Sequence, residues 1–236
     1  MNIAFVGAHP DDEMACLGTL LLYRRRGDRV FLICATNGDK GMSDDPDFPY
    51  AECARVRDRE MRRVAAALDA EYTCLEEPDE ALYDTWPNRL KMIEAIRRTR
   101  ADLLFTHFHR DYNLDHSVTS ALTFQSALLT QIASVRTDSP ALPAVPPIFY
   151  VDPGPGFGFE ATHFVEIDAT TVTLMRDIMG FHQSQMEVSR RLLGRDYRDT
   201  VDDRLKAAGQ RVGVPYAEAF RPCLANRRTP LARLLP

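Results

Sequence analysis

The sequence predicts an α/β fold: a mostly parallel sheet flanked by helices, ending in a helical C-terminal part. Three observations carry that expectation. Short apolar runs alternate with segments of helical spacing along the first half of the chain, which is the layout of βαβ units. Polar clusters follow several of those runs, at the positions where parallel strands end. The chain has 236 residues, 45% hydrophobic and 27% charged, enough for one large domain spanning residues 1–236.

Taken in order, "NIAFVGA" is a buried-strand run, and Met14 to Arg26 repeats apolar residues at helical spacing. "RVFLICAT", from Arg29 to Thr36, reads as the second strand, followed by the turn-rich "NGDKGMSDDPDFPY". Ala51 to Ala70 has one charged and one apolar face and is expected to be a surface helix. "EYTCLE" is the third strand, Asn88 to Arg100 a helix, Ala101 to Phe108 the fourth strand and Ser117 to Val135 a helix. The connector "SPALPAVPP" leads into a fifth strand, "IFYVD", and the loop "PGPGFGFEATH" into a last one, "FVEIDA". From Thr171 onward the pattern is helical. Crossovers between parallel strands are right-handed, and ligands of such sheets bind beyond the carboxyl ends of the strands. The clusters "GAHPDDE", "ATNGDKG" and "THFHRDYNLDH" are therefore expected to converge.

Composition excludes several classes. A net charge of −5 with scattered basic residues offers no electropositive face for nucleic acid. No apolar run reaches the roughly 18 residues that would cross a membrane, and Met1 leads into a strand without the features of a signal peptide. The five cysteines are dispersed and form no CxxC pair; they are read as reduced thiols of a cytoplasmic protein.

The chemistry concentrates in "GAHPDDE", one histidine and three carboxylates on a strand-to-helix turn. Carboxylates are costly there without a compensating charge. His9 and Asp12, three residues apart across Pro10, point to a shared cation, and His116 of "NLDH" supplies a third donor from another strand end. Two imidazoles and one carboxylate leave coordination positions open for water and substrate, as in catalytic zinc sites. Zn2+ leads, and Fe2+ tolerates the same donors. Asp11 is then a carboxylate beside the metal, placed as general base, and Glu13 favours the start of the helix.

"AHPDDE" with a downstream "DH" resembles the LmbE-like (PIG-L) family of metal-dependent deacetylases, which act on N-acetylglucosamine conjugates. "TNGDKG", the Arg57/Glu60 pair of "RVRDREMRRVAAALDA" and "FHQSQ" resemble further segments of that family. The resemblance implies a Rossmann-like domain, metal ligands His9, Asp12 and His116, Asp11 as general base and Arg57 reaching the substrate. It also makes a homo-oligomer plausible. One position departs: the family's His-Pro-Asp-His reads "NLDH" here, so Asn113 replaces a histidine. An amide donates a hydrogen bond to an oxyanion but supplies no proton at neutral pH. Asn113 is assigned to the substrate side with Arg57, Asp115 to orienting a metal ligand, and His107, His109 and His182 are candidates for the lost histidine's role. Phe157 and Phe159 of "PGPGFGFE" are expected to wall the pocket. "RRLLGRDYRD" reads as a solvated helix end whose arginines are alternatives for contacting an anionic substrate.

The expected activity is zinc-dependent removal of an acetyl or other acyl group from the amide nitrogen of a small N-acetylated amino-sugar conjugate. A hydrolase with another bond specificity, amide or ester, and a non-catalytic sugar-binding relative are the alternatives. A nucleotide-binding oxidoreductase is disfavoured, because the first turn lacks GxGxxG and its carboxylates repel a pyrophosphate.

Overall fold

The computed structural model describes residues 1–41 and 47–225. Residues 42–46, within the turn-rich segment that follows the second strand, lie outside the described residues.

Five strands run parallel: β1 (Asn2–Gly7), β2 (Arg29–Thr36), β3 (Ala70–Glu77), β4 (Leu103–Thr106) and β5 (Ile148–Val151). Their order is β3-β2-β1-β4-β5, and the sheet continues with β7 (Ala217–Pro222) and β6 (His163–Glu166). β7 lies antiparallel to both β5 and β6. This last strand is not apparent in the sequence, where "AEAFRP" carries neither alternation nor a β-branched residue. Insertion between two existing strands makes it a strand, a tertiary decision that overrides propensity.

The helices are α1 (Leu17–Arg25), α2 (Tyr50–Ala67), α3 (Trp86–Thr99), α4 (Leu114–Leu129), α5 (Ala169–Met179), α6 (Gln183–Leu193) and α7 (Tyr197–Val212). Alternate strand residues bury into two cores. Phe5, Leu32, Phe105 and Phe149 pack with α1, α2 and α5–α7. Val6, Ile33, Leu104 and Tyr150 pack with α3 and α4 on the opposite face. A sheet covered on both faces accounts for the unbroken apolar runs of β1 and β2. Among the described residues, no helix is long and apolar enough to cross a membrane.

Strand order reverses between β1 and β4, whose outward connections pass to opposite sides of the sheet. That reversal opens a crevice at the carboxyl ends of the two strands. Asn113 extends α4 three residues beyond its expected start, because its Oδ1 accepts the Asp115 N–H at 2.7 Å and caps the helix. Asp115 and His116 thus stand on a rigid first turn rather than on a loop.

Candidate active site

The turn after β1 is built around one close approach. Asp12 Oδ2 accepts the His9 N–H at 2.6 Å, and a Cβ at Gly7 would stand 2.9 Å from Asp12 Cβ. Glycine is required there so that the carboxylate can fold back onto the strand end. Thr36 at the end of β2 anchors the turn from the side, its N–H and its hydroxyl both donating to Ala8 O at 2.8 Å. A single 3-10 turn, Asp12–Ala15, leads into α1.

This turn meets the start of α4. His9 Nδ1 is 3.2 Å from His116 Nε2, and Asp12 lies 3.7 Å from the first and 3.3 Å from the second. One donor atom from each of the three falls within 4.8 Å of the other two. The far nitrogens are backed by carboxylates: His9 Nε2 faces Asp79 Oδ1 at 3.0 Å, and His116 Nδ1 pairs with Asp111 Oδ1 at 3.0 Å. Carboxylates behind both rings orient their near nitrogens toward a common point, an arrangement found around histidines that ligate metals. Two other groups meet the same distance limit, His107/Asp111/His116 and His9/Asp79/Asp115. Each reuses one of the two histidines through its backing carboxylate.

The electrostatics agree with a cation-binding cluster. Burial works against a charged His9, but Asp115, Asp79 and Asp12 outweigh it and push the ring up to about 10. Burial likewise opposes charge on His116, and Asp12 with Asp111 raises it to about 9. Buried Asp12 is held well below the usual carboxylate range by His116 and His107. A divalent cation fits the donor set: two imidazole nitrogens and a carboxylate, with further carboxylates behind them.

Asp11 lines the same cleft. Its Oδ1 accepts from Arg57 Nη2 at 2.8 Å, and Arg57 Nη1 lies 3.7 Å from Asp79 Oδ2. Arg57 is only 3% exposed; burial disfavours its charge, and Asp11 and Asp79 more than restore it. Arg57 also lines the cleft, with its guanidinium paired to these carboxylates. Its space is set by the "TNGDKG" turn, since a Cβ at Gly38 would meet Arg57 Nη1 at 2.7 Å and one at Gly41 would overlap it. Glu60, one helical turn on, accepts from the Ser184 N–H at 2.8 Å and its hydroxyl at 2.6 Å. The family-like segments therefore interlock around the cleft.

Asn113 lies on the cleft wall but its amide is occupied: Oδ1 caps α4, and Nδ2 donates to Glu80 Oε1 at 3.0 Å. Asp115 is buried behind His9, 3.5 Å from Nε2, and accepts the backbone N–H groups of Glu80 and Leu82. His107 lines the cleft, stacked on His116 at 4.0 Å between ring centroids. Burial and the neighbouring His116 push its ring below the usual histidine range. His182 is buried against Glu13 at 2.7 Å, and His109 sits outside the cleft beside Phe108. Phe157 and Phe159 do not form its walls; Phe159 instead packs edge-on to Phe108 at 5.2 Å. The wall is made by Val151, Pro153, Val188, Leu192, Leu193 and Tyr197, around a cavity of about 320 Å³.

Sequence reasoning missed Asp79 and Asp111. Asp79 follows the end of β3 within "EEPDE", so the strand-end rule applied to the third strand would have found it. Asp111 precedes the helix that carries His116 by three residues, and only the turn geometry brings it back to the ring.

Residues 4–127 match the PIG-L family, described as GlcNAc-PI de-N-acetylase. No curated protein matches the sequence. Among solved structures, N,N'-diacetylchitobiose deacetylase from Pyrococcus horikoshii, complexed with its inhibitor MPG, is 20% identical at a TM-score of 0.81, over 94% of this chain and 83% of its own. The conserved protein TT1542 from Thermus thermophilus is 23% identical at 0.79, over 98% and 100%. The 4-carboxy-2-hydroxymuconate hydratase GalB from Pseudomonas putida is 20% identical at 0.80, over 98% and 100%. Resemblances at these identities establish a shared fold.

Proposed function

The chain belongs to the PIG-L family, and from that premise we propose that it is a zinc-dependent hydrolase, with Fe2+ as the alternative ion, which removes an acetyl group from the amide nitrogen of an N-acetylated amino-sugar conjugate. The observation that carries this reading is the convergence of His9, Asp12 and His116, each imidazole backed by its own carboxylate. In this reading those three side chains hold the ion, and residues 1–236 work as one domain. Bound there, the ion supplies a Lewis acid for the acyl oxygen and acidifies a water molecule.

The protein's own groups do the rest. Asp11 is held in one orientation by Arg57, which takes its Oδ1 and leaves the second oxygen without a protein hydrogen bond among the described residues. That oxygen takes a proton from the attacking water and returns it to the amide nitrogen as the C–N bond breaks, giving acetate and a free amine. Arg57 holds Asp11 in one orientation, so its proposed part is positioning. Asp79 and Asp111 fix the orientation of the two imidazoles. Asn113 supplies no proton, so in this reading both proton transfers run through Asp11.

The test is release of free amine from a panel of N-acetylglucosamine conjugates by metal-stripped and zinc-reconstituted protein. Release that depends on zinc supports the reading. Cleavage of ester analogues alone would redirect it to a hydrolase of another bond.

A further inference from the structure

The cleft extends beyond the metal-binding end to the face of α7. Tyr197 and Arg204 lie seven residues apart on that helix, so they share a face, and both line the cleft. Other polar groups of that half already have protein partners. Gln185 Nε2 donates to Gly41 O at 2.9 Å, Ser189 Oγ to Arg195 O at 2.9 Å, and Asp152 Oδ1 accepts the Gly154 N–H at 2.8 Å. The nearby arginines are also paired: Arg190 and Arg198 with Asp196, and Arg195 with Asp203. Arg204 differs. Among the described residues, no carboxylate lies within 4.0 Å of its guanidinium, and the Tyr197 hydroxyl has no hydrogen-bond partner.

The position of Arg204 is also shaped by the backbone opposite. Gly154, at φ 98°, lies under the guanidinium, and a Cβ there would stand 3.1 Å from Nη2. A planar fork of donors, laid over a glycine and open to the cleft, matches the oxygens of a carboxylate or phosphate. We propose that Arg204 and Tyr197 form a subsite for an anionic group, carboxylate or phosphate, carried by the substrate on the part remote from the scissile amide. The preferred substrate is then an acidic conjugate of the amino sugar, not a neutral one. This rests on the reading of the cleft as an N-deacetylase site, which it narrows.

The experiment uses the full-length, zinc-loaded protein and three compounds: N-acetylglucosamine 1-phosphate, the carboxymethyl N-acetylglucosaminide and the neutral methyl N-acetylglucosaminide. For at least one anionic compound, kcat/KM is expected to exceed that of the methyl glycoside by about tenfold, the scale of a charge-assisted hydrogen bond. Whichever anionic arm shows the preference identifies the group. The anionic-to-neutral ratio should fall about tenfold in Arg204→Gln, recover in part in Arg204→Lys, and fall about threefold in Tyr197→Phe. An unchanged ratio in folded Arg204→Gln, or no anionic preference in the wild type, overturns the subsite. Calorimetric binding of the same compounds separates this from failure of the deacetylase reading. If no amine is released from any of them, that reading fails, while tighter binding of an anionic compound, lost in Arg204→Gln, still supports the subsite. Equal binding of all three overturns it.

Discussion

At the scale of single residues, Asp11 and Asn113 have surroundings that the sequence only half discloses. "HPDDE" marks Asp11, but not the Arg57 guanidinium that takes one of its oxygens at 2.8 Å. Asp11→Asn preserves the shape and removes the proton acceptor. It should retain zinc and lose about 10²- to 10⁴-fold in kcat, measured by amine release alongside metal content. Near-normal turnover would leave Asp11 without a catalytic part. Asn113 has two structural partners, the Asp115 N–H and Glu80. Asn113→Ala should therefore cost about 1 kcal/mol of stability through the lost helix cap and less than about tenfold in kcat, below the range of an essential oxyanion donor. A thermal melt and a kcat from the same preparation check both halves. Residue identity at position 113 is plain in the sequence. Its commitment to a cap is not, because that depends on where α4 begins.

Among the elements, α1 shows how distant segments complete the turn that carries the site. The helix begins at Leu17 without a side-chain cap from its own sequence. Glu218 of β7 serves instead, accepting the N–H groups of Gly18 and Thr19 at 2.8 and 2.7 Å. No local pattern could disclose a cap 200 residues away, and the same blindness hid β7 itself. Burial raises Glu218 to about 7 despite those two bonds, which favour its charge. The sign follows from comparison with the unfolded chain, where a glutamate titrates near roughly 4.3. Its stabilising contribution is complete below that value and is lost as pH rises through about 7. Glu218→Gln does not titrate, so its melting temperature relative to wild type should climb between pH 5 and pH 8. A difference that stays flat across that interval would show that Glu218 is ionised throughout. The buried Glu13–His182 contact, 2.7 Å long, ties the 3-10 turn to the start of α6 in a similar way.

For the whole molecule, the parallel half of the sheet was legible because its strands are buried on both faces and read as continuous apolar runs. The strand-end clusters were legible for the same reason, since a strand order that reverses between β1 and β4 gathers them at one crevice. The cleft wall on α6 and α7 was not, because Leu192, Leu193 and Tyr197 sit in a segment whose charges read as a solvated helix end. In the proposed reading the site would couple metal to protons: His9 and His116, raised to about 10 and about 9, would both have to become neutral to ligate. Zinc binding at pH 7.5 should accordingly release roughly two protons, measured by calorimetry in buffers of different ionisation enthalpy. Binding without proton release would remove the two rings from the site. The most direct test of the central claim is a zinc titration of metal-stripped protein, followed by amine release from N-acetylglucosamine conjugates. The account expects no release before zinc, a rise that saturates near one ion per chain, and no recovery in His116→Ala. Full release from the stripped protein, or normal activity in His116→Ala, would contradict it.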